Sequence, residues 1–282
     1  MDQPLPTTLI VRPPPARPAP ARPEGFHVGG LIVRTFRVWW QNALRFSLLG
    51  ILAYAPLGLA MVGLFRLAFA ASPPAAPPSP GDLPGFGVGL LLAWLATILL
   101  MIVQAGAITH ASFQQLRGNR IGLGQAIGAG FRRSLPVVGT GLLMGLGTMV
   151  GMLLLVVPGI VLAVAWCTAI PAVVVERMGP VAALRRSFAL TRGQRWAVFA
   201  GFLALHAILY VAMLVVQIPA VFVAVATAAS SPGTGVLVTV TVSQVLGAVF
   251  GSVILVGAAV AYHDLRTTKE GPDAEQLAAV FE

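Results

Sequence analysis

The stretch "LLVVPGIVLAVAWCTAIPAVVVERMGP", residues 154–180, decides how this chain is laid out. An apolar run breaks at Pro158-Gly159, resumes, and stops at Glu176-Arg177. Together with the apolar residues before it, the region covers 135–175. As one helix it would run roughly 60 Å, about twice the hydrocarbon thickness of a bilayer. It therefore holds two crossings, or one crossing plus a buried excursion. A Pro-Gly pair close to midway is a turn signal rather than a kink, which favours two helices folded back on a tight turn at Pro158-Gly159. A re-entrant hairpin is the alternative, because the second run is short and carries Pro171 near its end.

Composition explains why a membrane enters the argument at all. Of 282 residues, 57% are hydrophobic and 10% charged, and the mean hydropathy is +0.88. Soluble domains carry about a quarter charged residues; a chain this apolar cannot clothe itself against water. Six apolar segments are legible, at about 46–65, 86–109, 135–157, 160–175, 197–218 and 236–262. A span needs about 17–25 residues as helix, and tilt absorbs the short fourth and the long sixth. The expected fold class is all-α: a polytopic membrane protein with six transmembrane helices.

Charge orients the spans. The net formal charge is +9, and all the basic residues but Lys269 are Arg. In a soluble protein that excess would suggest nucleic acid. Here cytoplasmic loops obeying the positive-inside rule account for it, and no nucleic-acid partner is expected. With six spans and the N-terminus inside, the cytoplasmic face collects Arg117, Arg120, Arg132 and Arg133, the 177–195 cluster, and Arg266 with Lys269. The opposite face keeps "ASPPAAPPSPGD" (71–82), the Pro158-Gly159 turn and "ASSPGTG" (229–235), none with a basic residue. Arg66 alone is left over, placed to snorkel. A single crossing of 135–175 would put the 177–195 cluster outside, against the rule.

Three regions follow. Residues 1–25, with "RPPPARPAPARP" and no apolar run of signal-peptide type, read as a disordered Pro/Arg-rich cytoplasmic tail. Residues 26–266 form the membrane domain, and 267–282 a short cytoplasmic segment. At the head of the membrane domain, "LIVRTFRVWWQNALRF" (31–46) places Arg34, Arg37, Gln41 and Arg45 on one helical stripe and Ile32, Phe36, Trp39 and Ala43 on the other. It is too polar to span and reads as an interfacial helix with its apolar side in lipid. "VRTF" (33–36), "GAGFRR" (128–133) and "RRSF" (185–188) each precede a pair of spans. Three repeats of interfacial helix plus hairpin are thus expected, with Phe36, Phe131 and Phe188 equivalent.

Chemistry has little to work with. Cys167 is alone in an apolar run, so no intramolecular disulfide forms. No zinc-protease, Cys-x-x-Cys, phosphate-loop or nucleophile-elbow motif occurs. His110, His263 and Asp264 are the nearest thing to a metal seed, and neither a metal site nor a cofactor is expected. Within spans the polar residues are Gln104, His206, Gln217 and Gln244, whose ordinary role is interhelical hydrogen bonding. "GLLMGLGTMVG" (141–151) and "SQVLGAVFG" (243–251) carry small-residue rows suited to close helix packing, an oligomer contact being the lesser reading.

The pieces Pro158-Gly159, Trp166, Pro171, the run from Glu176 to Ser187, "LTRGQRW" (190–196) and "YHDLRTTKEGPD" (262–273) resemble the membrane domain attached to some bacterial glycerophosphoryl diester phosphodiesterases, and YciC-like inner-membrane proteins. The similarity covers residues 26–282. It implies a polytopic protein of the bacterial inner membrane; the hydrolase activity belongs to a separate soluble domain whose acidic metal cluster this chain lacks. The expected function is that of a non-enzymatic accessory or scaffold. Its basic cytoplasmic face, with Arg34, Arg37, Arg45, Arg185, Arg186, Arg192 and Arg195, would engage anionic lipid or a protein partner. The alternative is a transporter or channel for a lipid or small solute, which would need a continuous polar route.

Overall fold

Leu- and Val-rich runs without carboxylates can satisfy their backbone in lipid only as helices, and helices are what they form. The computed structural model describes residues 26–70, 83–119, 122–227 and 232–271. The expected tail at 1–25, the 71–82 loop, Arg120 and the residues after 271 lie outside that set. Ten helices occur among the described residues: α1 (Val28–Gln41), α2 (Ala43–Ala70), α3 (Leu83–Leu116), α4 (Leu123–Arg132), α5 (Ser134–Leu154), α6 (Val156–Trp166), α7 (Ala169–Glu176), α8 (Pro180–Thr191), α9 (Arg195–Thr227) and α10 (Pro232–Glu270). Six stretches are long and apolar enough to cross a membrane: Ala43–Gly63, Gly87–Leu116, Ser134–Leu154, Val156–Glu176, Arg195–Thr227 and Leu237–Glu270.

The region that posed the question is a helical hairpin, but its turn is not at Pro158-Gly159. The chain reverses on the single extended residue Leu155 (φ −162°, ψ 140°). Pro158 then sits in the first turn of α6, where its missing N–H costs nothing. Gly159 serves close approach: a Cβ there would lie 2.7 Å from the Met152 nitrogen, and one on Gly151 would lie 2.9 Å from the Gly159 Cα. Of the two glycine pairs in α5, Gly147 and Gly151 pack inside the molecule, Gly147 under the Trp166 ring, whereas Gly141 and Gly145 face open space. The return helix breaks once more at Cys167-Thr168, because Pro171 has no N–H to give the Cys167 carbonyl.

Three helices, α1, α4 and α8, are short and one-sided, and each precedes a pair of long ones. Each lies against the hairpin before it in the chain rather than its own. α4 packs on α3, and α8 on α5, α6 and α7; α1 closes the circle on α9 and α10. The elbows cause this. Asn42 (φ −130°, ψ 21°), Arg133 (φ −106°, ψ 2°) and the 192–194 turn swing each short helix away from the span it leads into. At Gly130, for instance, a Cβ would collide with the Val103 carbonyl, so α4 and α3 touch backbone to backbone.

The three-unit plan holds for elements and fails for side chains. Phe36 is half-buried against α9 and α10, whereas Phe131 and Phe188 are exposed. The expected 31–46 helix is also corrected, since it ends at Gln41 and Arg45 belongs to α2. Its apolar side meets protein: Leu31, Thr35 and Val38 are buried, and the Trp39 indole N–H donates to Ser252 Oγ at 2.8 Å. α10 is the central post, with half of its apolar window buried against 11% for α9. It runs to Glu270, past the boundary expected at residue 266.

Candidate functional site

All the described basic residues except Arg66 collect at one end of the bundle, where α3, α7 and α10 end and α2, α5 and α9 begin. The described residues contain three carboxylates, and each is spoken for at that end. Glu176, closing α7, accepts from Arg186 Nε at 2.9 and 3.1 Å and from the Tyr262 hydroxyl. Glu270, closing α10, accepts from Arg186 and from Arg266 Nε at 3.0 Å. Asp264 meets Arg34 Nη1 at 2.6 Å, with His263 Nδ1 3.5 Å away. Lys269 donates to the Ala189 and Arg192 carbonyls, capping the end of α8. Burial works against the charge on Arg186, but its bonds to Glu176 and Glu270 outweigh that and hold its pKa above the usual arginine value. The network staples α7, α8 and α10 together.

The seven arginines singled out from sequence therefore divide. Arg34 and Arg186 are engaged by carboxylates. Arg195 lies 4.1 Å from the Phe188 ring centroid, a cation–π arrangement. Arg37, Arg45, Arg185 and Arg192 are exposed and reach no carboxylate among the described residues. Arg132, Arg133 and Arg177 join them on the same end of the molecule. Arg186 is thus the poorest of the seven for meeting an outside anion.

Sequence reading missed a cleft of about 660 Å³ at the α1–α2 elbow, facing the last turn of α3. Its lining includes Gln41, Asn42, Arg45, Gln115 and Asn119, together with the exposed Trp40 and Leu44. Asn42 donates to Gln115 Oε1, and Gln115 donates to Gln41 Oε1, so the amides form a fixed relay. A signal existed: Asn42 follows Gln41 in an otherwise helical run, and Asn competes with the helix for its own backbone.

The polar residues within spans are spread out. His206 hydrogen-bonds the Phe202 carbonyl of its own helix at 2.7 Å. The Gln217 side-chain amide lies 3.3 Å from Ser243 Oγ, joining α9 to α10. Gln244 lines an apolar groove of about 250 Å³ between α2 and α10, and Gln104 is buried in α3. Among the described residues, no three His, Cys, Asp or Glu side chains gather as a metal site would need.

The helix break in α6–α7 is filled from α8. Ser187 Oγ donates to the Ala165 carbonyl at 2.8 Å and accepts from the Thr168 N–H at 3.3 Å. Its one proton being spent, the 2.9 Å contact with Thr168 Oγ1 has Thr168 as donor.

Residues 115–265 match a domain of unknown function, DUF7847. No curated protein and no solved structure matches the chain.

Proposed function

The chain belongs to the DUF7847 family, which assigns it no activity, and from the geometry we propose that it is a non-enzymatic accessory or scaffold protein of a bacterial inner membrane. Its charged end faces the cytoplasm and engages anionic phospholipid headgroups. The observation that carries this is the one-sided basic face. Arg37, Arg45, Arg132, Arg133, Arg177, Arg185 and Arg192 lie at one end of the bundle, and none has a carboxylate partner among the described residues. Each such side chain near an anionic leaflet is worth about 1 kcal/mol, so several together bind strongly without any single pocket.

One observation favours a transporter: a broken span, since transport sites are commonly built on discontinuous helices. Here Ser187 and Thr191 bond the Ala165 carbonyl and Ser187 also takes the Thr168 N–H, so α8 side chains already hold these groups of the break. The scaffold reading is therefore the stronger.

The test replaces Arg185 and Arg192 with Gln and compares retained phosphatidylglycerol after purification in mild detergent. Retention should fall at least severalfold while the melting temperature holds. Equal retention would reduce these arginines to topology signals.

A further inference from the structure

The cleft at the α1–α2 elbow makes part of the basic face concave. We propose that it seats one anionic phospholipid molecule, with the phosphate at Arg45 and the amide wall and the acyl chains leaving past Trp40 and Leu44. This rests on the reading of the charged end as lipid-binding and narrows it to one stoichiometric site.

Four observations converge. Arg45 lines the cleft and is exposed with no carboxylate partner among the described residues, unlike Arg34 and Arg186, so its fork-shaped donor set is available to a phosphate. The relay through Gln115 holds the Gln41 and Asn42 side chains in place, so the wall is organised before anything binds. A volume of about 660 Å³ exceeds what a bare ion needs and lies in the range of small-molecule sites; it suits a phosphodiester with its glycerol. Finally, Trp40 is 77% and Leu44 74% exposed in the same lining. Large apolar side chains beside amides and a guanidinium match the headgroup boundary, where one end of a ligand is charged and the other is hydrocarbon.

Native mass spectrometry on the full chain, titrated with phosphatidylglycerol against a phosphatidylcholine background, tests this. The intact protein should hold one phosphatidylglycerol more tightly than the rest. Arg45→Gln should weaken that one by about tenfold, the range for losing a charge-assisted bond. Leu44→Gln should weaken it too, and soluble glycerol phosphate should not displace it. Both positions are exposed, and an unchanged melting temperature verifies the fold. The Arg185→Gln, Arg192→Gln variant should shed weaker lipids and keep the tight one. Undiminished affinity in Arg45→Gln would overturn the site. So would displacement by glycerol phosphate with no effect of Leu44→Gln, which would assign the cleft to a soluble phosphate ester. Loss in the Arg185/Arg192 variant alone sinks only this site, whereas no change in any variant sinks the lipid-binding reading with it.

Discussion

Arg185 and Arg186 are neighbours in sequence with different physical fates. Arg185 points away from the bundle, and Arg186 sits between Glu176 and Glu270. Removing one partner of a partly buried pair leaves the other charge without compensation, whereas an exposed charge costs little. Arg186→Gln should lower stability by about 1–2 kcal/mol and Arg185→Gln by less than about 0.5 kcal/mol, read as melting temperatures in detergent. Equal effects would show that the carboxylate network holds nothing together. Ser187 makes the second residue-scale case. Ser187→Ala strips the Thr168 N–H of its acceptor and the Ala165 carbonyl of its 2.8 Å donor, at about 1–3 kcal/mol. Ser187→Thr keeps the hydroxyl but must fit a methyl at a fully buried position, so it should fall between. A Ser187→Ala variant as stable as the parent would mean that the break satisfies itself.

The α5–α6 hairpin shows what an element can do that its residues do not announce. Leu153, Leu154, Leu155, Val156 and Val157 form its tip, each between 62% and 84% exposed. A loop in water would not present such a surface. Leu155's own backbone groups are paired: its N–H donates to the Gly151 carbonyl at 3.1 Å, and its carbonyl accepts from Gly159 at 3.4 Å. The remaining helix-end groups on either side of Leu155 are left for the headgroup boundary, while the apolar side chains favour hydrocarbon. The tip is expected to rest below the far headgroups. In a background with Cys167→Ala, a Leu155→Cys thiol should stay unlabelled by a membrane-impermeant maleimide in intact vesicles and react once they are dissolved in denaturing detergent. Rapid labelling in the intact vesicles would place the tip in water. The legibility of this element was partial. Two helices were readable because 135–175 is too long for one crossing, but Pro158-Gly159 misled. In the first turn of a helix, proline costs nothing, and the glycine answers a packing demand from Met152 that lies outside its local sequence.

For the whole molecule, the circle of α1 on α9–α10, α4 on α3 and α8 on α5–α7 explains why the charged residues end together. Each short amphipathic helix is held on the same end of the bundle by a different hairpin. With that end in the cytoplasm, a phosphatase active only outside it should be silent when fused after Glu282. Activity there would invert the orientation and move the lipid-binding face to the other leaflet. The cleft is also a whole-molecule property, because Gln41 and Gln115 are 74 positions apart and meet only when α3 returns beside the elbow.

Apolar run lengths, together with the clustering of arginine between alternate runs, determined the class, the six membrane-length helices and the basic character of one end. These depend on hydrocarbon thickness and on transfer energies that every residue carries with it. The tertiary structure decided where the turns lie, which arginines are already neutralised and where the cleft opens. The close approach of Gly159 to Met152, the Arg186 pairing with Glu176 and Glu270, and the amide relay are contacts between different helices. Such contacts arise when elbows and glycine approaches set helices at particular distances, and no local pattern of residues encodes that distance.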